Sequence, residues 1–246
     1  MKEEDEVIEK EPVDEKIEKS KGWNWGMIVA GVFVVLVLAG LMAPMTMTCR
    51  KAADRTEAIN HAKQVGLALL EFDQEFGSFP DEETRAEVDK ASELRPKLDL
   101  SGTSANAMFR QLIAFGVQSE DIFYGLHPEG IRKPDKNLSV GKALAAGEVG
   151  FSYIMLDGKG QNTSGNPGRA VLATPMKIGT ETFWPKPHGE KAVILRLDNS
   201  VEAPLIRKAD GKVSVGHGKT LFDTGPDTVW GDAVIDLRHP EKGTKR

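Results

Sequence analysis

Polar and apolar positions divide the chain into stretches of contrasting texture. Residues 1–21 are rich in Glu, Asp and Lys, and no charged residue then occurs between Gly22 and Arg50. A helix rises about 1.5 Å per residue, so roughly 20 apolar residues cross about 30 Å of hydrocarbon. Gly26 to Met45 meets that length, with Trp23 and Trp25 at its start, where amphipathic rings favour a membrane interface. The pattern predicts a transmembrane helix over 22–48, kinked near its exit by Pro44. Charge returns at Arg50, yet nothing there stops the helix. No proline occurs between Arg50 and Phe76, and Gly66 is the one interior glycine. Ile59, Ala62, Gly66, Leu69 and Phe76, flanked by Val65 and Phe72, recur at the three-and-four spacing of one helical face. Gly77, followed by Pro80, supplies the stop.

Beyond Pro80 the texture is mixed. "DEETRAEVDKASEL" reads as a helix or a polar connection. "SANAMFRQLIAFG" reads as a short amphipathic helix opened by Thr103 or Ser104 and closed by Gly116. After Gly147 come "VGFSYIML", "RAVLATP", "KAVILRL" and "SVEAPLI". These runs are short, β-branched or aromatic, and separated by Gly, Pro, Asn and Asp. A long helix, a connection and then several strands point to an α+β fold, with a small antiparallel sheet packed on the second half of the helix. Within the last pair of strands, Asp198-Asn199 predicts a two-residue hairpin turn, because Asn and Asp tolerate left-handed dihedrals.

Composition narrows the function classes. The 246 residues carry a formal net charge of −5, and no basic cluster suited to tracking phosphates is present, so nucleic acid is not an expected partner. Cys49 is the sole cysteine, which excludes an intrachain disulfide and a thiolate zinc site. An ordinary secretory signal has a short basic head and a shorter apolar core; here a long acidic stretch comes first. Lys10, Lys16, Lys19 and Lys21 before the span balance Arg50, Lys51, Arg55 and Lys63 after it, so charge does not decide orientation.

Several residues carry a family resemblance. Lys21-Gly22-Trp23 is a basic–glycine–aromatic triplet ahead of the apolar helix, and Pro44 interrupts that helix about two-thirds along. "HAKQVGLALLEFDQEFGSFP" follows as an amphipathic half. His188, nine residues and then Asp198-Asn199 is similar to an H-x9-D-G motif. On these grounds the chain resembles type IV pilin-like proteins, type II secretion pseudopilins in particular. The resemblance covers 21–80 clearly and the strand region loosely. Met27 stands where that family has a glutamate, Trp23 replaces its usual Phe, and the leader is acidic. An unpaired amine or carboxylate in hydrocarbon is costly. With no carboxylate at Met27 to meet a freed amine at Trp23, the expectation is that the leader is not removed at Gly22.

The remaining motifs are weaker. "VSVGHGKT" approaches a phosphate-binding loop but lacks its first glycine and the helix that must follow. Asp223, Asp227 and Asp232 offer hard oxygen ligands, and the resemblance makes calcium the one cofactor to consider, although their spacing follows no calcium-loop pattern. The five histidines lack metal spacing, and His188 reads as a fixture of the hairpin rather than a base.

The expected organisation is an acidic disordered cytoplasmic tail over 1–21, a transmembrane helix over 22–48 and an extracytoplasmic pilin-like domain over 49–246. The resemblance implies a non-enzymatic, single-pass subunit of the inner (cytoplasmic) membrane, working with other pseudopilin or secretion-system subunits. The alternative is a membrane-anchored binding module on the same scaffold that no longer assembles. Gly22, Trp23, Met27, Pro44, His188, Asp198 and Asn199 carry the structural motif, with no catalytic, cofactor-binding or metal residue assigned.

Overall fold

Residues 25–92 and 98–243 are described by a computed structural model, with the side chains of 39–48 outside the description. The chain divides into two units, Met1–Met45 and Thr46–Arg246. The first helix, α1, runs from Trp25 to Phe76. In the first unit its residues 25–38 are all exposed, Trp25, Val29, Phe33 and Leu36 among them.

The expected transmembrane half is overturned here. Among the described residues no helix is long and apolar enough to cross a membrane. A crossing takes about 20 consecutive apolar residues, and the described residues of α1 do not provide such a run. The α+β class stands, with a five-stranded antiparallel sheet in the second unit.

In that unit the amphipathic half of α1 behaves as its periodicity predicts. Ala58, Ala62, Val65, Leu69 and Phe72 are buried at spacings of three and four, with Ile59 and Phe76 packed at the margin. Gly77 adopts φ +77° and its N–H donates to the Asp73 carbonyl at 2.7 Å, closing the helix C-terminus. Two short helices follow, α2 (Arg85–Ala91) and α3 (Ala105–Phe115). Ser104 caps α3 by accepting from the Ala107 N–H at 3.3 Å.

The strands are β1 (Ser152–Leu156), β2 (Ala170–Thr174), β3 (Val193–Arg196) and β4 (Val201–Glu202), then a separate hairpin of β5 (Ser214–Gly216) with β6 (Lys219–Thr220), and β7 (Ile235–Arg238). The sheet order is β4-β3-β2-β1-β7, antiparallel throughout. β1 to β4 form a meander, and β7 returns to the β1 edge with Ile154 opposite Leu237.

Both faces of the sheet are covered. Tyr153, Met155, Val193 and Leu195 join α1 and α3 in one core. Ile154, Ala173 and Ile194 face a second core with Met176, Phe183, Val213, Phe222 and Trp230, supplied by loops and the small hairpin. Burial on two faces explains why these strands read as continuous apolar runs rather than alternating ones.

The chain leaving α1 is fastened to the sheet. The Phe79 N–H donates to the Gln161 carbonyl at 2.7 Å, and the buried Tyr153 hydroxyl donates to the Pro80 carbonyl at 2.9 Å. The Asp73 carboxylate accepts from the Thr163 N–H at 3.1 Å. The Gly77-to-Pro80 end of the amphipathic half is therefore a docking point for the loop between β1 and β2.

Candidate functional site

His188 to Asn199 forms a strap that touches α1 at two places. The first is the turn at 185–190, closed by the Glu190 N–H donating to the Pro185 carbonyl at 2.7 Å. The His188 carbonyl accepts from Arg55 Nη1 at 3.3 Å. Gly189, at φ +67°, lies against Lys51 and Arg55 of α1. The His188 ring is fully buried, and neither of its nitrogens has a hydrogen-bond partner among the described residues. Burial first, then the Arg55 and His127 charges, push its pKa down to about 4. The ring therefore sits in the interior as a neutral imidazole.

The second contact is the β3–β4 turn. The expected two-residue turn is corrected to a three-residue one. Arg196 N–H donates to the Ser200 carbonyl at 2.9 Å, leaving Leu197, Asp198 and Asn199 as the loop. Asn199 alone of the three has positive φ, +62°. A tight turn ending in one left-handed residue is the usual three-residue hairpin connection. Asp198 Oδ1 accepts from the Ser200 N–H at 2.9 Å, and hydrogen bonding from Ser200 holds its carboxyl below the usual range. Asn199 thus occupies the position where a motif ending in Asp-Gly would place glycine, and the positive φ is the physical reason for glycine there.

Asn199 also meets the helix. A Cβ added at Gly66 would lie 2.0 Å from Asn199 Oδ1 and 3.1 Å from Leu195 Cδ1. Gly66, the one glycine of α1 between Arg50 and Phe76, is what lets the turn lie against the helix backbone. Residues 55 and 66 are about 16 Å apart along a helix at 1.5 Å per residue. The strap therefore spans about three turns of α1, with β3 between its ends. Sequence reasoning placed Gly66 on the apolar face and missed this role; the available signal was a single glycine among larger apolar residues.

The other predicted positions are not part of this site. Gly22 and Trp23, and with them the cleavage question, lie outside the described residues. Met27 is exposed on α1. Pro44 falls within α1, but its side chain lies outside the description. "VSVGHGKT" is the β5–β6 hairpin, turned by His217 and Gly218 at φ +49° and +75°, and no helix follows it. Asp223 accepts from the Thr220 N–H at 2.7 Å and from its hydroxyl at 2.8 Å. Asp223, Asp227 and Asp232 do not form a ligand group among the described residues. The histidines are dispersed: His61 bonds the Tyr124 carbonyl, His127 the Met176 carbonyl, and His239 the Ser152 hydroxyl. Trp230 is a core residue whose Nε1 donates to the Leu221 carbonyl at 2.6 Å, and Trp184 Nε1 donates to Glu129 at 3.3 Å.

No family model, curated protein or solved structure matches the chain.

Proposed function

We propose that this chain is a pilin-like structural or accessory subunit of a type II secretion or type IV pilus-like machine. The observation that carries the reading is the division of labour along α1. Its residues 58–72 are locked to an antiparallel sheet, whereas residues 25–38 present an exposed, predominantly apolar surface. An exposed apolar surface of that extent calls for apolar partners such as neighbouring helices to cover it. The strap supports the reading, because it holds the helix to the sheet as a subunit whose helix bears load requires. On this reading the protein works at the cytoplasmic membrane, with other pseudopilin-like or secretion-system subunits as partners and without catalysis.

Cys49 is exposed and is the sole cysteine, so it serves as a reporter. Crosslinking through Cys49 in native cells, followed by purification in mild detergent, should yield adducts with further copies or with assembly components. The second reading, a binding module that no longer assembles, is favoured by Met27 at the position of the family's glutamate. It expects an uncrosslinked monomer, and that result would overturn the subunit reading.

A further inference from the structure

Three acidic residues converge from the segment joining α3 to β1. Glu120 precedes a single 3-10 turn at Asp121–Phe123, Asp135 lies in the loop after it, and Glu148 stands shortly before β1. One carboxylate oxygen from each lies within 4.8 Å of the other two. Glu148 is fully buried, Glu120 is 1% exposed, and Asp135 is open to solvent. Carboxylates are almost never fully buried without partners.

The partners present are too few. Glu148 accepts from Arg132 Nη2 at 3.0 Å and from the Ala145 N–H at 2.9 Å. Glu120 Oε1 accepts from the Leu144 N–H at 2.6 Å. Glu120 Oε2 is buried and has no hydrogen-bond partner among the described residues. Arg132 offsets one of the three negative charges, which leaves two. A buried acceptor without a donor and an excess of two negative charges are what a hard divalent cation would satisfy. The ligands are oxygen only, which does not suit zinc or copper. Calcium takes six to eight oxygens at about 2.3–2.6 Å in flexible geometry, whereas magnesium demands near-ideal octahedral geometry and is seldom held by protein oxygens alone.

We propose that Glu120, Asp135 and Glu148 form a calcium site that clamps the segment between α3 and β1. Water would complete the six to eight ligands calcium takes. The ion would act on more than its ligands. Glu120 holds the N–H of Leu144, which adopts φ +47°. The Leu144 carbonyl accepts from Asn106 Nδ2 at 2.9 Å and from Arg110 Nη2 at 3.1 Å, both on α3. Filling the site would tie this loop to α3 and, through α3, to the core it shares with α1. The site lies apart from Asp223, Asp227 and Asp232, and the inference does not depend on the proposed subunit role.

The test uses the full chain in detergent, stripped with EDTA and titrated with calcium chloride or magnesium chloride. Calorimetry should show calcium binding, and calcium at about tenfold excess over its Kd should raise Tm by about 4 °C, with magnesium giving less. Glu120→Gln and Asp135→Asn should each weaken calcium binding at least about tenfold, the order expected when a charged ligand is lost. Asp135 is exposed, so Asp135→Asn keeps the test open if Glu120→Gln fails to fold. A wild type that neither binds calcium nor shifts in Tm overturns the proposal, as does an Asp135→Asn variant binding like wild type. A calcium-insensitive wild type that Glu120→Gln stabilises in EDTA would instead identify two carboxyl groups sharing a proton.

Discussion

Acidification should weaken this fold through His188. The ring is fully buried, both nitrogens lack partners among the described residues, and the charges that act on it, Arg55 and His127, are both basic. Its pKa falls from 6.5 to about 4. Between those values the unfolded chain binds a proton at His188 that the folded chain refuses. Stability contributed by the neutral ring is therefore complete above pH 6.5 and is lost as pH falls towards 4. The whole gap corresponds to about 3 kcal/mol, of which about 2 kcal/mol is lost by pH 5. His188→Leu keeps an apolar side chain in the site and removes the titration. Urea unfolding of both proteins from pH 7.5 to 4 measures the difference. Wild type should lose about 2 kcal/mol more than His188→Leu between pH 7.5 and 5, and the gap should level off below pH 4. Burial also lowers the pKa of His127 and His239. Both residues are present in the two proteins, so their own contributions cancel apart from the mutual term between His127 and His188. Parallel pH profiles for the two proteins would refute the argument, because they would mean that a charged His188 is tolerated inside the fold.

Three further predictions address the strap and the loop that secures the end of α1. Gly66→Ala gains about 1 kcal/mol of helix propensity but drives Cβ to 2.0 Å from Asn199 Oδ1, so thermal unfolding should show a net loss of about 1 kcal/mol. In an Asn199→Gly background, itself neutral or stabilising at φ +62°, the same Gly66→Ala change should become neutral or stabilising; equal effects in both backgrounds would remove the contact. Asn199→Val should cost about 1–2 kcal/mol, since a β-branched residue is strained in the left-handed region. Gly160→Ala would place Cβ 2.0 Å from the Phe79 carbonyl oxygen and 2.8 Å from its carbon. Backbone atoms cannot rotate aside as a side chain can, so a loss of about 2–3 kcal/mol is expected, and an unchanged Tm would contradict this close approach.

Local signals in the sequence account for much of the fold. The three-and-four spacing from Ile59 to Phe76 gave the buried face of α1, and Gly77 gave its end. Ser104 and Gly116 bounded α3. The β-branched runs located β1 to β4, and Asp198-Asn199 located a turn, although its length was misjudged by one residue. β7 passed unrecognised because "VIDLR" is short and carries two charges, and its strand character comes from pairing with β1. The apolar run before Arg50 suggested a membrane span, which the described part of α1 does not provide.

Sequence alone determined the helical period, the strand segments and the places where the chain must turn, because those depend on interactions among residues a few positions apart. Tertiary structure decided that Gly66 receives Asn199, that His188 loses all its hydrogen-bond partners, and that Glu120 and Glu148 are buried near each other. Each of these depends on distance and exclusion of water between segments far apart in the chain. A residue's charge cost, its pKa and the room for its Cβ are set by the neighbours that folding brings, and no local pattern encodes them.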